Sequence, residues 1–242
     1  MFEEKLEVIL PVYNESACIS KTIEEVKAFS LSHPEFYFTF FDDGSTDETP
    51  SILKERLQNE KRINYVLSGK NQGKALAIKT GILLSKAEYV IFTDGDLAYS
   101  LDYLHTIKQK LNDYDIIIGN RNLGKGENKR SYIRMITGES FNFLTQILLR
   151  LHYSDTQAGL KGFSRNAIVN LLALQTVTNF AFDAELLYLA RLKGLKVGEI
   201  PVAVSTTHAA KTSSVDVFKD SLKMLFSLLK IVTNSRLGRY NG

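Results

Sequence analysis

The chain has 242 residues, 44% apolar and 24% charged; this is the composition of a globular protein with a sizeable core and excludes a disordered or fibrous one. Thirty Lys and Arg against 27 Asp and Glu leave a net charge of +3, too balanced for bulk nucleic-acid binding, so no nucleic acid is expected as a partner. The single cysteine, Cys18, excludes an internal disulfide framework and a cysteine-rich zinc site.

The opening MFEEKLEVILP is acidic and then strand-like. It has no basic leader or cleavage signal, so no signal peptide is expected. Leu6–Leu10 reads as a buried strand ended by Pro11, and Ile19, Ile23, Val26 and Phe29 then recur at helical spacing. Phe36–Phe41 is a second strand, Thr49–Leu57 a helix opened by Thr-Pro, and Ile63–Leu67 a third strand. Ala75–Ser85 reads as a helix with Leu76, Ile78, Ile82 and Leu83 inward. Glu88–Thr93 and Asp115–Gly119 are strands four and five. Continuous apolar strands alternating with helices predict an α/β fold, its central sheet mainly parallel and flanked by helices on both faces. Ligands of such sheets lie at the carboxyl ends of the strands.

Beyond Gly119 the pattern changes. Asn122–Arg130 is a Gly/Lys-rich loop, Tyr132–Leu151 a long helix, and Ser154–Phe163 a short turn-rich segment. Phe182–Leu192 reads as a helix, Lys196–Val204 as a strand and Val215–Val232 as an amphipathic helix. The most apolar stretch near the C-terminus, Met224–Val232, is interrupted by Lys230, and a membrane span needs about 20 such residues. The expected location is cytoplasmic, with peripheral contact to a membrane surface through the two amphipathic helices as the one membrane role they allow. The same helices equally suit ordinary packing, and the terminal one suits self-association into a homo-oligomer. No repeat, linker or domain boundary is evident.

Three polar turns sit at strand ends: Tyr13-Asn14-Glu15, Asp42-Asp43-Gly44-Ser45 and Asp94-Gly95-Asp96. They should converge on one crevice. Two carboxylates one residue apart, with Gly95 to permit a kink, suit a hard cation such as Mg²⁺ or Mn²⁺, and through it a diphosphate; an acidic turn after a strand is the plainer alternative. In DDGSTD, Asp47 or Thr46 suits a helix cap, whereas Asp42 and Asp43 can accept a nucleobase N–H or a ribose hydroxyl. GKNQGKALA places Lys74 at a helix start, where anions are attracted, although the spacing is not that of a P-loop.

Taken together, PVYNE, DDGS, NQGKA and DGD, in this order, resemble the family 2 nucleotide-sugar glycosyltransferases, which have the GT-A fold. The resemblance covers nearly the whole chain. GNR at 119–121, DTQAGLKGF at 155–163 and FDAELLYLA at 182–190 are similar to the dolichyl- and polyprenyl-phosphate glucose or mannose synthases within that family. DGDLA looks like the glucose branch, since Ala98 stands where the mannose branch tends to carry a Gln metal ligand. The resemblance implies a single glycosyltransferase domain over 1–242, with a nucleotide-sugar-binding half (1–121) and an acceptor-binding half (122–242). It implies that Pro11, Tyr13 and Glu15 line the base and ribose pocket and that Asp43 contacts the base. Asp94, Gly95 and Asp96 would meet the sugar-diphosphate, with the metal on the two carboxylates. Arg121, with Arg130 or Arg134, would meet the acceptor phosphate; a guanidinium fork matches phosphate better than Lys125 or Lys129 does. Segment 205–215 departs from the family pattern, with Ser214 where Lys is expected and His208 and Lys211 nearby.

The implied reaction is inverting transfer of a hexose from a UDP-glucose-like or GDP-mannose-like donor to a polyprenyl phosphate. A phosphate acceptor is already ionised at neutral pH. A sugar hydroxyl would need a general base, for which Asp183 and Glu185 are the candidates; otherwise Asp183 suits a helix cap and Glu185 a solvated face. The alternatives are a glycosyltransferase acting on a glycan hydroxyl and a non-catalytic nucleotide-sugar-binding module.

Overall fold

The computed structural model describes residues 6–124, 142–179, 181–205 and 217–241. Seven strands form one sheet: β1 Leu6–Val12, β2 Tyr37–Asp42, β3 Ile63–Leu67, β4 Tyr89–Thr93, β5 Ile116–Asn120, β6 Leu160–Ser164 and β7 Val197–Pro201. Their order is β3-β2-β1-β4-β6-β5-β7. The helices are α1 Ile19–Ser32, α2 Thr49–Leu57, α3 Lys74–Leu84, α4 Tyr103–Lys110, α5 (helical residues 142–149), α6 Arg165–Leu174, α7 Phe182–Leu192 and α8 Val217–Arg236.

β1 pairs in parallel with β2 and β4, β2 with β3, and β5 with β7. β6 runs antiparallel between β4 and β5, so the sheet is mixed. β6 falls largely within the segment Ser154–Phe163, expected to be turn-rich, and its sequence LKGFS carries a lysine and a glycine in mid-strand. Lys161 is nevertheless wholly buried.

Strand alternation divides the core between the two faces. Val8, Leu10, Phe38, Phe40, Ile91 and Ile117 pack with Ile23 of α1, Leu53 of α2 and Ile107 of α4. Ile9, Phe41, Val90, Phe92 and Ile118 pack with Ile78 of α3, Ile168 of α6, Leu187 of α7 and Leu228 of α8. The expected two-sided helical cover is thus present.

β1 lies between β2 and β4, and the sheet grows outward from it in both directions. Chain connections therefore diverge at the carboxyl ends of β1 and β4, opening the crevice where open α/β sheets bind ligands.

Candidate active site

The crevice is assembled from the three turns at the ends of β1, β2 and β4. The Asp43 N–H donates to Val12 O at 2.9 Å, which ties the second turn to the first. A Cβ on Gly95 would collide with Pro11 O and Val12 Cγ1, so the third turn lies flush against the first. That close approach is what requires glycine. The kink expected at Gly95 falls instead on Leu97, whose φ is +51° and whose N–H donates to Asp94 O at 3.0 Å. A buried leucine in the left-handed region stores strain of the kind that functional turns carry.

Turns one and two are laced together by backbone donors and short polar side chains. The Asn14, Glu15 and Ser16 N–H groups donate to Ser45 Oγ (2.8 Å), Thr49 Oγ1 (2.8 Å) and Asp47 Oδ2 (3.0 Å). Asn14 Oδ1 accepts from Thr46 N at 2.8 Å, and Asn14 itself has φ +52°. Asp47 Oδ1 takes the Thr49 N–H at 2.9 Å at the start of α2, although the N-cap position itself is Glu48 and not Asp47 or Thr46. Partial burial pushes the Asp47 carboxyl up, but the bonds from Thr49 and Ser16 outweigh it and hold the group at about 2.

The two carboxylates that end β2 are buried. Asp43 accepts from the Gln72 and Gly73 N–H groups at 3.0 and 2.7 Å, which fixes the start of α3. Asp42 Oδ2 accepts from Ser45 N at 3.1 Å, and Asp42 Oδ1 has no hydrogen-bond partner among the described residues. Glu15 lies at the crevice edge, where its Oε2 accepts from Cys18 Sγ at 2.8 Å. Tyr13 stands 44% exposed at the mouth, and Pro11 is half-buried beneath it.

Fixing the start of α3 aims Lys74 across the crevice onto Asp94, with which it forms an ion pair. Desolvation lowers the pKa of Lys74, but the Asp94 carboxylate, then Asp183 and Tyr99, pull it up and prevail. Asp94 is half-buried and its room is kept by Gly159: a Cβ there would overlap the carboxylate. Asp96 is also half-buried, and its Oδ1 accepts from Ala98 N at 3.2 Å. The Asp94–Asp96 pair supplies hard oxygen donors at a place that already draws a cation, which fits a divalent ion.

The far wall comes from β5, β6 and α7, and it is built from buried charge pairs. Arg121 holds Asp155 in a bidentate pair, Nε to Oδ2 at 2.6 Å and Nη2 to Oδ1 at 2.8 Å, while the Arg121 N–H adds a third bond at 3.0 Å. Burial raises the Asp155 pKa and Arg121 lowers it, with a net fall; on Arg121, burial lowers and Asp155 raises, with a net rise. The fork expected to meet the acceptor phosphate is thus turned onto a carboxylate. Tyr99 lies beside this pair. Burial pushes its phenol up to about 12, Arg121 opposes the rise, and Asp94 and Asp155 add to it. Lys161 Nζ meets Asp183 Oδ1 at 2.8 Å, donates to Ala158 O at 2.6 Å and sits 5.4 Å from the Phe92 ring centre.

Two readings of α7 need correction. Asp183 does not cap the helix, since Ala181 holds that position without a side-chain bond; Asp183 is ion-paired instead. Glu185 is neither solvated nor able to meet a substrate. It is wholly buried and accepts from Thr176 N, Thr176 Oγ1, Val177 N (2.7 Å) and Tyr240 OH (2.6 Å), because α7 is covered on nearly all sides. Arg130, Arg134 and the segment 206–215 lie outside the described residues. Tyr99, Asp155, Gly159 and Lys161 were not singled out from sequence. All but Tyr99 fall in DTQAGLKGF, whose resemblance marked the stretch without giving the roles.

A family model described as glycosyl transferase family 2 matches residues 7–172. The chain is 30% identical to dolichyl-phosphate beta-glucosyltransferase ALG5C of Trichomonas vaginalis, over 95% of this chain and 71% of the relative. It is 28% identical to the human dolichyl-phosphate beta-glucosyltransferase, over 96% of this chain and 77% of that protein. Among solved structures, the glucosyl-3-phosphoglycerate synthase of Mycobacterium tuberculosis in complex with Mn²⁺, UDP and glucosyl-3-phosphoglycerate superimposes with a TM-score of 0.68 at 15% identity, covering 95% of this chain and 80% of that one. The UDP complex of the same enzyme gives 0.70 at 16% identity, with the same coverage.

Proposed function

We propose, from the premise that the chain belongs to glycosyl transferase family 2 and is a glycosyltransferase of GT-A fold, that it moves a hexose from a nucleotide-diphosphosugar of the UDP-glucose kind to a polyprenyl phosphate. The observation that carries this reading is the cation-seeking carboxylate of Asp94 at the switch point, with Gly95 against Pro11 and Lys74 reaching in from α3. The activity for which the relatives are named, dolichyl-phosphate β-glucosyl transfer, supports both the sugar and the acceptor class.

Tyr13 offers an exposed ring face on which a base can stack. Asp94 and Asp96 would hold Mg²⁺ or Mn²⁺, which supplies positive charge beside the departing diphosphate. Lys74 adds a second cation on the same side. An acceptor phosphate oxygen attacks the anomeric carbon, the bond from that carbon to the diphosphate oxygen breaks, and the nucleoside diphosphate leaves with the electron pair. One displacement inverts the anomeric configuration. No base is needed. That agrees with the state of the two candidates on α7: Asp183 is held by Lys161 and Glu185 is sealed in the core.

In this reading residues 1–121 bind the donor and 122–242 the acceptor. No helix among the described residues is long and apolar enough to cross a membrane. Phe143, Leu144 and Ile147 of α5 and Phe226 and Leu229 of α8 are exposed, which supports peripheral contact with the lipid that carries the acceptor.

The test is transfer from UDP-glucose or GDP-mannose, with Mg²⁺ or Mn²⁺, to polyprenyl phosphate or to a free glycan. The expected result is nucleoside diphosphate release only when the phosphate lipid is present, with a phospholipid-linked sugar as product. Release with glycan hydroxyls alone removes the acceptor assignment. Tight donor binding, read as a rise in melting temperature, with no turnover on any acceptor would make the chain a binding module.

A further inference from the structure

Outside the crevice, one group of side chains has the composition of a metal site. His33 follows the last residue of α1, Glu35 precedes β2, and His105 lies in the first turn of α4. Ligand atoms of all three lie within 4.8 Å of one another. No other trio of His, Cys, Asp or Glu among the described residues does so.

The arrangement is held from behind. The two imidazole centres are 4.4 Å apart and nearly perpendicular. Phe29 stacks obliquely on His33 at 4.4 Å, and Phe36 meets His105 edge-on at 5.1 Å. These phenyl walls limit the rotation of both imidazole rings. All three ligands are half-buried, so an ion and a completing water can reach them from solvent. Lys108 is the cation paired with Glu35, its Nζ 3.4 Å from Oε1 and 5.5 Å from the Phe36 ring centre, and its side chain is 43% exposed, so an ion can displace it toward solvent. Drawing the three atoms in to the roughly 3.3 Å edge of a tetrahedron with Zn–N and Zn–O bonds of about 2 Å takes only side-chain adjustment.

We propose that His33, Glu35 and His105 bind one Zn²⁺ that clips the end of α1 to the start of α4. Two imidazoles and one carboxylate select zinc over the hard Mg²⁺ or Mn²⁺ suited to Asp94 and Asp96. The two sites therefore differ in ion as well as in place.

The test uses the full chain, stripped with chelator and titrated with Zn²⁺ in excess Mg²⁺. One zinc per chain is expected, with a higher melting temperature by mass action. His33→Ala and His105→Ala each remove a ligand and should each weaken it by more than the roughly 100-fold that loss of an outer-shell partner costs. His152→Ala, Asp94→Asn and Asp96→Asn should leave the zinc in place. Co²⁺ should give the visible absorption of a tetrahedral ion. In the unmodified chain, zinc should shift the ring resonances of His33 and His105 and spare those of His152, which needs no variant to fold. Absence of a bound zinc, retention in both histidine variants, or loss on Asp96→Asn would each overturn the proposal.

Discussion

The two walls of the crevice are built in different ways. On the β1–β2–β4 side, carboxylates and hydroxyls take backbone N–H groups: Asp43 at Gln72 and Gly73, Asp47 at Thr49 and Ser16, Ser45 at Asn14. On the β5–β6–α7 side, side chains take side chains: Arg121 with Asp155, Lys161 with Asp183. The first kind of bond shapes a loop and is spread over many small contributions. The second places whole charges in the interior, where desolvation is costly and loss of one partner strands the other. One wall should thus tolerate piecemeal change and the other should not.

The sharpest break in activity should come from the turn that both walls face. Asp96→Asn keeps the acceptor for Ala98 N but removes the negative charge. Transfer should fall about 10³-fold, or about 4 kcal/mol, with the melting temperature little changed. Equal loss of stability and activity would mean that Asp96 serves the turn and not the reaction.

Lys161→Met tests the charge-pair wall. It removes the wholly buried cation and leaves Asp183, whose side chain is 22% exposed, without its partner, and a loss of about 2 kcal/mol is expected in urea denaturation. The double variant Lys161→Met with Asp183→Leu should recover most of that loss, since an apolar pair of similar volume avoids the desolvation cost. If the double variant is as unstable as the single one, Lys161 is needed for its bonds to Ala158 O and the Phe92 ring instead.

Gly159→Ala joins the two regions, because the new methyl would press on Asp94. Strain of about 1–3 kcal/mol is expected, together with a roughly tenfold loss of transfer as Asp94 is displaced. A variant that keeps full activity would show that Asp94 has another position available to it.

What could be read from sequence is the local part of each wall. DDGSTD announces an acceptor two residues from the start of α2, where Asp47 takes the Thr49 N–H, whereas the bonds that lace the turns together, such as Asn14 N–H to Ser45 and Gln72 N–H to Asp43, span 31 and 29 positions. The alternation of apolar strands and helices through β4 is likewise local, and those elements fall within a residue or two of their expected bounds. Lys161 and Asp183 are 22 positions apart, and Arg121 and Asp155 are 34 apart. Nothing near Lys161 in the chain marks it as buried, so β6 was hidden by the residue that makes it matter. Glu185 misled for the same reason, its partners being Thr176, Val177 and the distant Tyr240. Gly95 was singled out correctly but for the wrong cause, since the approach of Pro11 comes from another strand.

The smallest effect belongs to the backbone-laced wall, and Asp47 carries it. Its carboxyl stands at about 2 in the folded chain, below the roughly 3.9 of an unfolded aspartate, so the folded state binds its proton less readily. The stabilisation is therefore complete above about pH 4 and is lost as pH falls through 2. Asp47→Ala removes the acceptor for Thr49 N and Ser16 N at one stroke and should cost about 1 kcal/mol at neutral pH. It should also flatten the acid limb of the stability curve between pH 4 and 2, a change that denaturation at several pH values reads directly. Asp47→Asn retains one oxygen and should fall between the two. If the acid limb is unchanged in both, the bonds that Asp47 accepts add nothing to stability, and the first and second turns are held by the Asp43 N–H on Val12 O and by the bonds at Asn14, Ser45 and Thr49.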